Sequence, residues 1–159
     1  MLIRRAVAKD LPGLANLLDQ VLMVHHEGRP DLFVAGTRKY SDDELLDMIP
    51  DDERPIFVAV EEDAPDGELL GYAFCKYEDT TGSNFLVSHR TLYVDDICVD
   101  EKARGSHVGT ALYQHLLAFA REQGFYNVTL NVWSCNPGAQ AFYEAMGMKP
   151  YKVGMEAIL

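Results

Sequence analysis

Apolar and polar residues follow two different periods along the chain, and the changes between them delimit the predicted elements. Short apolar or alternating runs predict strands over residues 2–6, 56–60, 69–77, 92–99, 128–132 and 153–159. Apolar residues spaced three and four apart predict helices over residues 10–28, 41–49, 108–123 and 137–146. The predicted order is therefore β-α-α-β-β-β-α-β-α-β.

Capping residues and turn formers support several of these boundaries. Asp10 is expected to cap the first long helix and Asn136 the last one. Ser41 and Glu44 have the spacing of a capping box, in which each side chain binds the backbone N–H of the other residue. Residues 65–67, Pro-Asp-Gly, predict a turn between the strands of an antiparallel hairpin.

The order of the elements predicts the fold class. The strand, helix and strand between residues 92 and 132 predict a parallel pair joined by a right-handed crossover. Hairpins elsewhere make the sheet mixed and mostly antiparallel, with helices on both faces. The sequence contains no repeat and no linker-like stretch. We therefore expect a single α/β domain over residues 1–159.

Composition narrows the function classes. The 159 residues include 14 Lys and Arg against 25 Asp and Glu, a net charge of −11, which disfavours a general nucleic-acid binder. No apolar run reaches the roughly 20 residues that cross a bilayer, and the first residues lack a signal-peptide pattern. Three separated cysteines and five histidines have no metal-ligand spacing. We expect a cytoplasmic protein that binds neither metal, membrane nor nucleic acid.

The segment from residue 99 to residue 112 predicts an anion-binding turn. It reads as the end of a strand, a loop with two glycines and the start of a helix, where free N–H groups and the helix dipole favour an anion. Gly105 and Gly109 allow a close approach, and Arg104 adds a positive charge. The pattern fits neither a Walker loop nor the dinucleotide motif. The alternative is a turn that only starts a helix.

Two motifs resemble those of one family. Residues 104–109, Arg-Gly-Ser-His-Val-Gly, resemble the R/Q-x-x-G-x-G/A coenzyme A signature of the GNAT N-acetyltransferase superfamily. Residues 136–148 resemble its N-x-x-A-x-x-F/L-Y-E-x-x-G-F motif, and the element order is similar over the whole chain. One departure is His107, which stands where the family has the first glycine of the hexad.

The resemblance implies that acetyl-CoA is the cosubstrate. It assigns the pyrophosphate site to Arg104, Gly105, Ser106, His107, Val108, Gly109 and Thr110. It assigns the pantetheine arm and the acetyl carbonyl to the backbone of Ile97, Cys98 and Val99, on a strand that splays from the strand over residues 128–132. Asn136 would contact the pantetheine, cap its helix, or do both.

Two adjacent acids, Asp95 and Asp96, lie in the strand before the anion-binding turn. Because neighbouring residues on a strand face opposite ways, one acid is expected to face the cleft and the other to leave it. The stretch is similar to the L-E-D-x-x-V segment of polyamine N-acetyltransferases, which implies Asp95 as general base and Asp96 as second candidate. A merely solvated acid pair is the alternative.

Tyr143 occupies the family's position for the general acid, beside the departing sulfur of the cosubstrate. The alternative is a core role, because Tyr143 also falls on an apolar helical stripe. Asn131 stands where relatives that acetylate ribosomal-protein N-termini have a glutamate base, which argues against that substrate. Cys98 and Cys135 have no partner base in the sequence, so direct transfer in a ternary complex is expected.

These features predict an acetyl-CoA-dependent N-acetyltransferase. Its acceptor is expected to be a small-molecule or peptide primary amine, cationic in view of the net charge. Candidate acceptor contacts are His25, His26, Glu27, Asp31, Phe33, Arg38 and Tyr40. A homodimer is expected because relatives form them. The alternatives are a non-catalytic acyl-CoA-binding or regulatory module with the same fold and, more remotely, a nucleotide-binding domain.

Overall fold

A computed structural model describes residues 1–64, 66 and 68–159 of the chain. Its strands are β1 (Leu2–Arg5), β2 (Ile56–Val60), β3 (Gly71–Asp79), β4 (Arg90–Val99) and β5 (Asn127–Leu130). Its α-helices are α1 (Leu11–Gly28), α2 (Asp42–Met48), α3 (Val108–Glu122) and α4 (Pro137–Ala145). None of the helices in the described residues is long and apolar enough to cross a membrane.

The strands form one sheet in sequence order, β1-β2-β3-β4-β5. The first three pairings are antiparallel, and β4 pairs with β5 in parallel across the α3 crossover. This arrangement confirms the mixed sheet and the parallel pair that the element order predicts. It follows from connection length, because a parallel neighbour needs a crossover whereas a hairpin does not.

The sheet separates two cores, one on each face. On the first face, α1 and α2 pack with Leu14, Leu18 and Leu45 against Val58 and other residues of β2, β3 and β4. On the second face, α3 packs with residues that include Val108, Leu112 and Leu116. All five residues of β2 are buried because helices cover both sides of it.

Ser41 and Glu44 form the predicted capping box. The Glu44 N–H donates to the Ser41 hydroxyl at 3.3 Å, and the Ser41 N–H donates to the Glu44 carboxylate at 2.8 Å. Asp10 does not cap α1, so that prediction is wrong. Its buried carboxylate instead accepts from the Val7 N–H at 2.8 Å and pairs with Arg4 at 2.7 Å, before the 3₁₀ turn Ala8–Asp10.

The predicted closing strand over residues 153–159 is also wrong. No strand follows β5 in the described residues, and β5 itself ends at Leu130 rather than at Val132. The side chains of the last segment are exposed, with Met155 at 90%, and Glu156 pairs with Arg29 at 3.0 Å. An alternating pattern specifies a strand only where a sheet edge pairs with it. The predicted turn at Pro65 and Gly67 lies outside the described residues.

Gly71 provides a test of the packing between β3 and β4. A Cβ at this position would lie 2.7 Å from the Cys98 carbonyl oxygen and 3.2 Å from the side chains of Val108 and Leu112. We expect Gly71→Ala to lower the free energy of unfolding by about 1–3 kcal/mol, since backbone has to move. Gly154→Ala is the control, because no atom lies within 4 Å of its Cβ. Equal urea midpoints for both variants would contradict this packing.

Candidate active site

The parallel strands β4 and β5 part before β4 ends. Their paired residues run from Thr91 opposite Asn127 to Val94 opposite Leu130, while β4 continues to Val99. Beyond Val94 the side of β4 that faces β5 therefore has no strand partner among the described residues. A gap opens between the two strands, as expected for a splayed pair.

The register between β3 and β4 shifts at the same point. Phe74 pairs with Asp96 and Cys75 pairs with Val94, so Asp95 is an extra residue on β4. Such a bulge interrupts the alternation of side chains along a strand. Val94 and Ile97 consequently both pack against the α3-side core. Asp95 and Asp96 both line one cavity, so the prediction that one acid leaves the cleft is wrong.

This cavity, of about 410 Å³, lies where the strands part. It brings together residues of two elements that are distant in sequence: Asp95, Asp96 and Ile97 of β4, and Asn136 and Tyr143 of α4 and its N-cap. Its other walls come from α1, from the loop between α1 and α2, and from the segment after β5. The cavity thus joins most of the predicted catalytic residues to the segment expected to bind the acceptor.

Asp96 is the acid with the perturbed protonation. The hydroxyl of Tyr72, which is wholly buried, donates to its carboxylate at 2.8 Å. Burial raises the pKa of Asp96 to about 6, against the opposing effects of this hydrogen bond and of the Lys39 charge. The nearby charge of Asp95 raises it further. A carboxyl group with this pKa is mostly ionised at neutral pH and remains basic enough to accept a proton.

Asp95 is held by partners from the loop between α1 and α2. Its Oδ2 accepts from the Tyr40 hydroxyl at 2.5 Å and from the Lys39 ammonium at 2.8 Å. Both donors bind the same oxygen, so this carboxylate already has two partners within the chain.

Tyr143 lies in α4 with its side chain only 8% exposed. Burial, followed by the charge of Asp96 and by Tyr113, raises the pKa of its phenol. Within the described part of the chain, no hydrogen-bond partner of this hydroxyl occurs. A buried tyrosine hydroxyl that lines a cavity without a protein partner is available to a bound molecule.

The turn before α3 has the features of an anion site. The N–H groups of Val108, Gly109 and Thr110 lie in the first turn of α3, where an α-helix has no acceptors for them. His107, the residue before the helix, has φ 65° and an exposed side chain that does not line the cavity. This left-handed conformation explains why the related motif carries glycine there, and histidine is among the residues that tolerate it.

The other residues of the turn have separate roles. Gly105 also has a positive φ, 83°, with open space around it. A Cβ at Gly109 would contact Phe142 and Val99 at 3.5 Å, so this glycine faces α4 and β4 rather than an anion. The Ser106 hydroxyl donates to the Ala103 carbonyl. Arg104 is exposed and makes no ion pair with any described residue.

The backbone N–H groups of Ile97, Cys98 and Val99 point to two different sides of β4. The Asp100 N–H donates to the Leu70 carbonyl at 2.9 Å. Successive N–H groups along a strand point to opposite sides, so the N–H of Cys98 also faces β3. The N–H groups of Ile97 and Val99 point the other way, toward the gap. The Val99 N–H therefore has no strand partner among the described residues, whereas the Ile97 N–H binds the Asp96 carboxylate and lowers its pKa.

Asparagines and cysteines complete the inventory of predicted residues. Asn136 caps α4 by accepting from the Ala139 N–H at 3.2 Å, and it also lines the cavity. Asn131 donates to the Tyr93 hydroxyl at 3.1 Å. Burial raises the pKa of the Cys75 and Cys98 thiols, which keeps them protonated. The described residues contain no cluster of three His, Cys, Asp or Glu that could hold a metal ion.

Of the seven candidate acceptor contacts, three line the cavity: His25, Phe33 and Arg38. Tyr40 instead binds Asp95, Asp31 pairs with Arg29, and the His26 Nδ1–H donates to the Phe33 carbonyl at 2.7 Å. Sequence reasoning missed Tyr72 and Lys39, the partners of the two acids. No signal in the sequence indicates either partnership, because both cross between separate segments.

Comparison with known proteins identifies the family. The model of the acetyltransferase (GNAT) family matches residues 21–148. The chain is 31% identical over 98 residues to probable glucosamine 6-phosphate N-acetyltransferase 2 of Oryza sativa subsp. japonica, covering 60% of this chain and 54% of that protein. It is 34% identical over 91 residues to streptothricin acetyltransferase of Streptomyces lavendulae, covering 57% and 42%. The chain thus spans about half the length of these curated relatives.

Structural similarity extends over the full chain. The X-ray structure of a tetramutant of the BH1408 protein from Bacillus halodurans superposes with a TM-score of 0.93 at 25% identity, covering 100% of both chains. The chain belongs to the GNAT acetyltransferase family, as its two motifs indicate.

The burial of Asp96 predicts that the free energy of unfolding falls as the pH rises. The folded carboxyl takes up its proton near pH 6 and the unfolded one near 3.8, so stability falls as the pH rises between these values. We expect Asp96→Asn to raise the free energy of unfolding by about 2 kcal/mol at about pH 7, and by little at about pH 4. Urea unfolding at both pH values measures this. An equal change at the two pH values would contradict this prediction. Asp95→Asn is the control, and it should not raise the free energy of unfolding, because it loses the ion pair with Lys39.

Proposed function

We propose that this protein is an acetyl-CoA-dependent N-acetyltransferase that acts on a primary amine by direct transfer. The observation that carries the proposal is the cavity between the parted strands. There a carboxyl group with raised pKa, Asp96, lines the same space as the phenol of Tyr143, which has no hydrogen-bond partner among the described residues. A base and an acid on one cavity are what acyl transfer from a thioester to an amine requires.

The chain's own groups fit coenzyme A. The free N–H groups at the start of α3 suit a pyrophosphate, as does Arg104, which has no ion-pair partner among the described residues. The Val99 N–H, which faces the gap, suits the pantetheine arm and the acetyl carbonyl, which it polarises. Asn136 keeps its amide NH₂ available while its oxygen caps α4. The thioester supplies an acyl group that is already electrophilic.

The proton steps balance as follows. The acceptor amine has a pKa near ~10 and enters mostly as an ammonium. It loses two protons, and the first passes through Asp96 to solvent. Tyr143 gives its proton to the departing sulfur, and the second amine proton restores the Tyr143 phenol. The nitrogen forms a bond to the acetyl carbon, and the bond from that carbon to sulfur breaks. The products are the amide and the free thiol.

Geometry favours Asp96 over Asp95 as the base. Asp95 is bound by Tyr40 and Lys39, so accepting a further proton there would break an ion pair. Asp96 accepts from the Tyr72 hydroxyl and from the Ile97 N–H, which are both neutral donors, and its pKa is suited to a base at neutral pH. Asp95 then acts as a fixed charge that raises the pKa of its neighbour.

The relatives indicate the range of acceptors in the family. One is named for an amino sugar phosphate and the other for the antibiotic streptothricin. The net charge of −11 favours encounter with a cationic amine, whether a small molecule or a peptide. The homodimer, the single domain and the cytoplasmic location expected from the sequence stay predictions.

A screen of primary amines that monitors free thiol tests the activity, and Tyr143→Phe tests the acid. We expect Tyr143→Phe to lower kcat by about 10²–10⁴-fold, because the sulfur leaves without a proton donor. Tyr113→Phe is the matched control, since Tyr113 packs near Tyr143 with ring centroids 6.3 Å apart but does not line the cavity. Stabilisation by coenzyme A without transfer to any amine would instead favour the non-catalytic acyl-CoA-binding module.

The pH dependence of kcat/KM distinguishes the two acids. It should fall below about pH 6 as Asp96 takes up a proton. Tyr72→Phe removes the hydrogen bond that lowers the pKa of Asp96, so the acid limb should move to higher pH. Tyr40→Phe removes the corresponding bond to Asp95 and should leave the limb in place. If Tyr40→Phe moved the acid limb and Tyr72→Phe left it in place, the base would be Asp95.

A further inference from the structure

We infer that the acceptor is a primary amine carried on an apolar body of the size of an aromatic ring, and not on a phosphorylated or polyhydroxylated sugar. The inference rests on the proposed amine acetyl transfer and names its substrate class. Its basis is the part of the cavity wall contributed by α1, by the loop after it and by the segment after β5, called here the acceptor end. The acceptor end is formed by Val21, His25, Leu32, Phe33, Val34 and Trp133.

Three rings form a continuous wall at the acceptor end. Phe33 lies between His25, at a ring-centroid distance of 5.1 Å, and Trp133, at 5.0 Å and nearly perpendicular. The hydrogen bond from the His26 Nδ1–H to the Phe33 carbonyl fixes this loop to α1. A flat apolar group is complementary to such a wall, and an ammonium ion passing it toward Asp96 gains attraction from the ring faces.

The cationic side chains beside this wall are already paired. Arg38 forms an ion pair with Asp42, and Lys39 pairs with Asp95 at 2.8 Å. Burial and the charge of Lys39 lower the pKa of His25, which is therefore mostly neutral at neutral pH. Among the described residues that line the acceptor end, none offers an unpaired cation to a phosphate. A phosphorylated acceptor would have to break one of these pairs.

Hydrogen-bonding groups for hydroxyls are few at this end. Thr37 lies at its border, but its hydroxyl donates to the Val34 carbonyl at 3.2 Å. The Asn131 amide donates to Tyr93. A sugar would lose the hydrogen bonds of its hydroxyls to water without equivalent replacements, whereas an apolar body loses none.

Trp133 supplies a direct reporter, because it is the single tryptophan of the chain and is 47% exposed. The probes are 2-phenylethylamine, spermidine and glucosamine 6-phosphate, each added with coenzyme A for binding and with acetyl-CoA for thiol release. We expect 2-phenylethylamine to change the Trp133 fluorescence saturably. We also expect its kcat/KM to exceed that of the other two amines at least about tenfold.

Variants separate recognition from chemistry. Trp133→Ala should raise KM for 2-phenylethylamine about tenfold with little change in kcat, and Trp133→Phe should restore most of the affinity. Tyr126→Ala, at an exposed aromatic outside the cavity, should change neither constant.

A better kcat/KM for glucosamine 6-phosphate or spermidine, or an equal effect of Trp133→Ala on all three amines, would overturn the inference. So would the absence of both a fluorescence change and turnover with 2-phenylethylamine. A saturable fluorescence change without thiol release would support the apolar amine site while refuting the proposed activity.

Discussion

The extra residue in β4, Asp95, is the constraint on which the rest of the site depends. Without it, the alternation of side chains would send Asp95 and Asp96 to opposite faces of the sheet. The inserted residue places both acids on the α1 side, while Ile97 and Val99 still pack against the α3 core. The strand also loses its β5 partner at this point, so the N–H groups that face the gap have no strand partner among the described residues.

Two tyrosines then give the adjacent acids different chemistry. Tyr72 and Tyr40 both pack on Phe74, the first edge-on at 4.8 Å and the second stacked at 5.6 Å, and each donates to one acid. Only Asp95 also receives a cation, Lys39. Burial, with the charge of Asp95 beside it, raises the pKa of Asp96 to about 6. One aromatic cluster thus positions two carboxylates for distinct roles.

Local patterns predicted the elements well, because each depends on neighbouring residues: the Ser41 capping box, the turn before α3 and the Asn136 cap all occur as expected. The mixed sheet and its parallel pair were predicted correctly, but some predictions failed where a distant contact or an inserted residue decides the structure. The segment over residues 153–159 was predicted as a strand but has no strand partner among the described residues. The period-two rule sent one of the two acids away from the cleft, because no local signal indicates a bulge. Asp10 is a capping type that binds Arg4 instead.

The two substrates of the proposed reaction are recognised by different kinds of groups. In the proposed complex, coenzyme A is held mainly by backbone amides of α3 and of the parted strand, whose direction depends on the path of the chain rather than on side-chain identity. That explains how His107 can replace glycine: the position requires a left-handed backbone, and the imidazole lies outside the cavity. The acceptor, in contrast, meets side chains of α1, of the loop after it and of Trp133. Membership of the family therefore supports the proposal for the cosubstrate, whereas the acceptor must be inferred from the residues that line each cavity.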